Sequence, residues 1–163
     1  MLKGNESLMA HKRLGDLLID AGLITEDQLV SALKSQRESH RRLGDELIAK
    51  GVITETELIE ALCQQLGIDY IDLTNVILPA ELTQVVRKNL ARKYDMVPVR
   101  ATRDEVFIAM GDPMNFIAQE EARVASRRRV IPMISHHTAI ERAIMQLYGN
   151  EGAARAIEEM RSE

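Results

Sequence analysis

Residues 13–36 read RLGDLLIDAGLITEDQLVSALKSQ, and residues 42–65 read RLGDELIAKGVITETELIEALCQQ. The two stretches align without a gap at an offset of 29 residues, and 14 of the 24 positions are identical. A duplicated stretch of this length restricts the fold more than any other feature, because both copies must solve the same packing problem. In the first copy Leu14, Leu17, Leu18 and Ile19 form an apolar face. Gly22 then reads as a left-handed helix stop. Thr25 with Gln28 three positions on is the pattern of a capping box. Leu29, Val30, Leu33 and the stem of Lys34 continue a second helix to about Gln36. The second copy repeats the logic with Leu43, Leu47, Ile48, Gly51, Thr54, Glu57, Leu58 and Leu62, and Gly67 ends its last helix. The short charged connection at 37–41 predicts a compact pair of helical hairpins.

After Gly67 the pattern changes. IDYIDL at 68–73 alternates with period two and reads as a strand. Residues 78–95 read as helix broken near Asn89, and 96–113 as a hairpin turning near 102–104. Asp112-Pro113 reads as an N-cap followed by proline at the first helical position, opening a helix to about Ala125. Residues 128–136 read as a strand. Ser135 is expected to cap a last helix with Ile140, Ile144 and Leu147 inward and Gly149 beyond its end. The whole predicts an α+β chain: an extension at 1–12, a duplicated helical lobe at 13–67, a small lobe with a three- or four-stranded sheet at 68–149, and a linker or tail at 150–163.

Composition removes several function classes. Net charge is -4, so a nucleic-acid binder built on phosphate contacts is not expected. Aromatic residues make up 3% of the chain, too few for stacking platforms on single strands. Cys63, which replaces the first copy's Lys34, is the single cysteine and forms no internal disulfide, which fits a reduced cytoplasmic setting. The amino-terminal residues do not read as a signal peptide. No apolar run approaches the ~20 residues that cross a bilayer. No G-x-x-x-x-G-K-[ST] phosphate loop occurs, and no catalytic constellation stands out, so an enzyme is not expected from this chain. The SRRR run at 126–129 reads as a solvated turn. His136-His137 lacks a second ligand pair for a metal. His11 reads as a surface histidine.

Packing accounts for the leucines, glycines and threonines of the repeat. It does not account for Arg13 and Arg42, or for Gln36 and Gln65, which frame both copies. Matched polar positions imply two equivalent sites, or one site with internal twofold character. Arginine stacks its guanidinium on a base and pairs with phosphate. Glutamine offers a donor and an acceptor. Such a frame suits a twofold ligand.

The duplicated Arg-Leu-Gly-x-x-Leu-Ile pattern with its closing glutamine, together with VFIAMGDPMN and VIPMISHHTAIERAIMQLYG, resembles the cyclic-di-GMP-binding MshEN domain. That domain stands at the amino terminus of many type II secretion and type IV pilus assembly ATPases. The resemblance covers about residues 13–149. It implies one dinucleotide lying across both repeats. Arg13 and Arg42 would stack on or pair with the nucleotide, and Gln36 and Gln65 would hydrogen-bond to it. Leu14, Leu29, Leu33, Leu43, Leu58 and Leu62 would form an apolar bed, and Gly15 and Gly44 would allow close backbone approach. Asp112 would accept from a guanine edge, its alternative being a plain N-cap. The resemblance also implies an ATPase domain as partner, in this chain's longer parent or in another chain. It implies a cytoplasmic place at the inner membrane without insertion. The competing expectation is a module that docks such an ATPase on its inner-membrane platform protein without binding nucleotide.

Overall fold

The computed structural model describes residues 13–161, with backbone alone for Arg13 and for 150–161. The extension at 1–12, with His11, lies outside the described residues. The chain divides into two compact units, Met1–Ile68 and Asp69–Glu163.

In the first unit four helices follow the repeat: α1 Arg13–Asp20, α2 Glu26–Ser39, α3 Leu43–Ala49 and α4 Glu55–Leu66. Each copy makes the same turn. Gly22 (φ 76) donates to the Ile19 carbonyl and Leu23 to the Leu18 carbonyl; Gly51 (φ 72) donates to Ile48 and Val52 to Leu47. These paired bonds close the helix end on a glycine that carries no Cβ penalty at positive φ. Thr25 Oγ1 then accepts from the Gln28 amide at 3.2 Å while Gln28 Oε1 accepts from the Thr25 amide at 2.9 Å. Thr54 and Glu57 make the same reciprocal pair at 3.1 and 3.0 Å. Thr25→Ala and Thr54→Ala are each expected to cost about 1 kcal/mol, checked by urea unfolding followed by circular dichroism.

Helices as short as α1 and α3 are not stable alone and depend on packing. The core of this unit consists of Leu18 and Leu47, Ile24 and Ile53, and Ala32 and Ala61, three pairs each at the 29-residue offset. α1 packs on α4 and α2 on α3, so each copy's first helix lies against the other copy's second. The equivalence is not complete at the buried positions. Glu46 occupies the place of Leu17, and its carboxylate accepts from the Ser39 hydroxyl at 2.7 Å. α2 runs past Gln36 to Ser39, where His40 (φ 58) caps it by donating to the Gln36 carbonyl.

The second unit runs β1 Asp69–Tyr70, a 3-10 turn Leu73–Asn75, α5 Leu82–Val85, α6 Lys88–Tyr94, β2 Met96–Ala101, β3 Glu105–Met110, α7 Phe116–Ser126, β4 Arg129–Ile134 and α8 His137–Arg161. Its four strands lie in the order β1-β4-β3-β2. β2 and β3 form an antiparallel hairpin, while β3 and β1 both run parallel to β4. α7 is the crossover that parallel β3 and β4 require. Val97, Val106, Ile108 and Met110 from the sheet meet Ile140, Ala143, Ile144, Leu147 and Tyr148 of α8 in one core. The α+β class is as the sequence predicts, with the sheet at four strands.

Five local expectations need correction. The strand expected at 68–73 stops at Tyr70, because the Asp72 carboxylate accepts from the Thr74 amide at 3.0 Å and starts the 3-10 turn. The helical break falls at Val86 and Arg87, not near Asn89, which lies inside α6; buried Val86 turns extended (φ -127) and its carbonyl accepts from the Tyr148 hydroxyl. Asp112 does not cap a helix beginning at Pro113. Asn115 caps α7 by accepting from the Ala118 amide at 3.1 Å, and Asp112 accepts from the Met114 amide instead. The Ser135 hydroxyl donates to the Ile71 carbonyl at 2.8 Å, tying the ends of β1 and β4, and α8 starts at His137. Gly149 does not end α8, which continues to Arg161. Its two interior glycines, Gly149 and Gly152, cost about 1 kcal/mol each, and the Ala- and Glu-rich residues beyond them are strong helix formers.

Candidate functional site

The repeat motif brings the first turns of successive helices together. Gly15 lies in the first turn of α1 and Leu29 in the first turn of α2. A Cβ on Gly15 would stand 2.8 Å from both Leu29 methyls. The second copy reproduces this contact, with a Cβ on Gly44 standing 3.0 Å from Leu58 Cδ2. That same point is 3.4 Å from Leu14 Cδ2, so the first copy reaches into the second. Leu14, Leu29, Leu43 and Leu58 are half-buried around this nucleus. They leave apolar surface that is neither core nor fully solvated, the usual lining of a small-ligand site.

Gly15→Ala and Gly44→Ala test what the glycines are for. The leucine methyls are flexible ends that move aside, and alanine improves helix propensity by up to about 1 kcal/mol. Stability is therefore expected to change by less than ~1 kcal/mol in either direction. If the backbone must also admit a ligand, affinity falls in the same variants, which calorimetry reads directly.

The framing residues are placed as follows. Arg13 is the first residue of α1. Arg42 stands at the N-cap of α3 with extended backbone and no side-chain cap bond; its Nε is 3.5 Å from Asp45 Oδ2. Gln36 is half-buried in the last turn of α2, and Gln65 is exposed in the last turn of α4. The leucines also diverge: Leu33 is 41% exposed and Leu62 only 4%. The copies therefore share the glycine–leucine nucleus and differ toward the ends of α2 and α4.

Asp112 belongs to the second unit, just after β3. The parallel strands β1, β3 and β4 all end on this side of the sheet, so Asp72, Asp112, His136 and His137 follow their carboxyl ends. This gathering was hidden in the sequence, because three separated segments meet only through the strand order. Thr74 bonds the Asp72 carboxyl through its hydroxyl and amide and holds its pKa below the ordinary value, with His136 pulling in the same direction. The His136 ring meets Tyr70 edge-on, centroids 5.8 Å apart. His137 Nδ1 pairs with Asp95 Oδ2, and Gly111 leaves room for that pair: a Cβ there would stand 2.7 Å from Asp95 Oδ2. Among the described residues no group of three or more His, Cys, Asp or Glu side chains is placed to hold a metal ion. Among the same residues no helix is long and apolar enough to cross a membrane.

The family described as MshEN domain matches residues 66–154. The type IV pilus assembly ATPase PilB of Myxococcus xanthus is 29% identical over 140 residues, covering 86% of this chain and 25% of that protein. PilB of Thermus thermophilus is 28% identical over 90 residues, covering 52% of this chain and 10% of that protein. The chain thus spans a quarter or less of the length of these relatives. Among solved structures, MshE with cdg superposes with a TM-score of 0.73 at 32% identity, covering 83% of this chain and 99% of that one. The amino-terminal domain of XpsE superposes at 0.67 with 20% identity, covering 83% and 93%, a likeness of fold alone.

Proposed function

The chain belongs to the MshEN domain family, and from that membership we propose that it is a cyclic-di-GMP-binding regulatory domain of a type II secretion or type IV pilus assembly ATPase. The observation that carries this reading is the close glycine–leucine approach present in both copies, with an arginine and a glutamine framing each. A ligand with two chemically equal halves fits two equal half-sites. The half-buried leucines would take the base and ribose faces by dispersion and desolvation. Arg13 and Arg42 would pair with phosphate or stack on guanine, and Gln36 and Gln65 would bond to the nucleotide. Asp112, as a carboxylate, can accept from guanine N1 and N2. MshE, which carries cdg in its solved structure, is 32% identical to this chain and supports the same ligand here.

Regulation would follow if the dinucleotide favours one arrangement of this domain against its ATPase partner over another. Which arrangement it favours depends on the longer assembly. Docking on an inner-membrane platform protein is compatible with this role. As the sole role, it leaves the duplicated arginine–glutamine frame without a task.

Titration calorimetry tests the proposal. One cyclic di-GMP per chain is expected to bind at about micromolar or tighter, equivalent to roughly -8 kcal/mol or better. No heat and no thermal shift at saturating dinucleotide would overturn the sensor reading and leave the docking module in its place.

A further inference from the structure

Segments far apart in sequence meet at Gly111. α6 ends at Tyr94, and Asp95 follows in a left-handed conformation (φ 52), its amide donating to the Ala91 carbonyl. The Asp95 carboxylate pairs with Nδ1 of His137, the first residue of α8. Gly111, the residue after β3, packs against this pair: a Cβ there would stand 2.7 Å from Asp95 Oδ2 and 2.8 Å from His137 Nδ1. The Gly111 amide also donates to the Asp95 carbonyl at 3.3 Å. The Asp95 side chain is 20% exposed, so the contact is screened less than a surface pair. The arrangement has a local cost. Glycine would hold the left-handed conformation at 95 more cheaply than aspartate, but glycine has nothing with which to reach His137.

Asp112 comes next in the chain. Its downstream side is tied to the start of α7. Its Oδ1 accepts from the Met114 amide at 3.1 Å, its carbonyl accepts from the Asn115 amide at 3.2 Å, and Gln119 Nε2 donates to the Pro113 carbonyl at 2.6 Å. On its upstream side Gly111 is seated against the pair and bonded to Asp95. We propose that the Asp95–His137 pair is a positioning device for Asp112, setting that carboxylate for a guanine edge; this rests on the cyclic-di-GMP reading above. Guanine presents its N1 and N2 donors side by side, and a carboxylate meets both only when its plane and distance are right. Recognition groups of this kind must be held within about 0.5 Å of the productive geometry. Asp95 and His137 do not touch the ligand. They act through the backbone of Gly111, whose missing side chain lets the pair lie directly against it.

Calorimetry with cyclic di-GMP on the full chain tests this through a double-mutant cycle. Asp95→Gly removes the carboxylate and suits the left-handed backbone, so its melting temperature should stay near that of the parent. Its dissociation constant is expected to rise about fivefold or more. Asp112→Asn keeps an acceptor for the Met114 amide but sets an NH2 group against the guanine donors, with an expected loss of about tenfold or more. In the Asp112→Asn background, Asp95→Gly should change affinity by less than about twofold. His137→Ala should match Asp95→Gly, and His137→Asn, which can still donate to Asp95, should recover part of the loss. Equal losses in both backgrounds would make the pair merely structural and overturn the proposal. So would unchanged affinity in a folded Asp95→Gly variant, or in Asp112→Asn. If the parent binds no dinucleotide, the sensor reading falls and this inference with it. If the parent binds and the cycle shows no coupling, only this inference falls.

Discussion

Replacing both framing arginines, Arg13→Ala with Arg42→Ala, is expected to lower affinity for cyclic di-GMP at least about a hundredfold. A charge-assisted hydrogen bond is worth about 1.5–3 kcal/mol, so each arginine accounts for roughly a factor of ten to a hundred. Fold stability should hardly move. Arg42 makes a half-exposed contact with Asp45 at 3.5 Å, and its side chain does not cap α3. Exposed pairs of this kind contribute about 0–1 kcal/mol. Arg42→Lys should fall between the parent and the alanine variant, since it keeps the charge and loses the planar fork. If the double variant binds as the parent does, the arginines are not the grip. If it unfolds and every folded molecule still binds, they are structural.

Leu47→Ala should produce the largest loss of stability, about 2–5 kcal/mol, with Leu18→Ala close behind. Both side chains are fully buried, and each sits just before the glycine turn that closes its first helix. The two units have separate cores, so the damage should be local. Hydrogen exchange is expected to speed up across Arg13–Asp20 through Glu55–Leu66 while β2 and β3 stay protected. Uniform acceleration across both units would show that they unfold as one.

Much of the helical unit was legible in the sequence because its signals are local. A glycine turn, a threonine cap and an answering Gln or Glu three residues on are each complete within a few residues, and the duplication states them twice. The sheet unit was less legible because its decisive contacts are distant. Asp112-Pro113 carries the same letters as a helix start, yet the chain spends three more residues in a turn before Asn115 caps α7. Ser135 looked like a cap and instead reaches Ile71, a partner 64 residues away. Val86 breaks the helix because Tyr148 holds its carbonyl, which nothing near Val86 announces. Within the repeat, identical letters also proved unequal: Leu33 is exposed and Leu62 buried.

Duplication ordinarily leaves one copy spare, and the spare drifts. The interleaved core of the helical unit removes that freedom. Ile24, Ile53, Ala32 and Ala61 are buried in one cluster, and the first helix of each copy rests on the second helix of the other. A volume change in either copy is therefore felt at once by its twin. Neither copy can be lost or relaxed alone, so descendants of such a duplication inherit the pair as a single unit of selection.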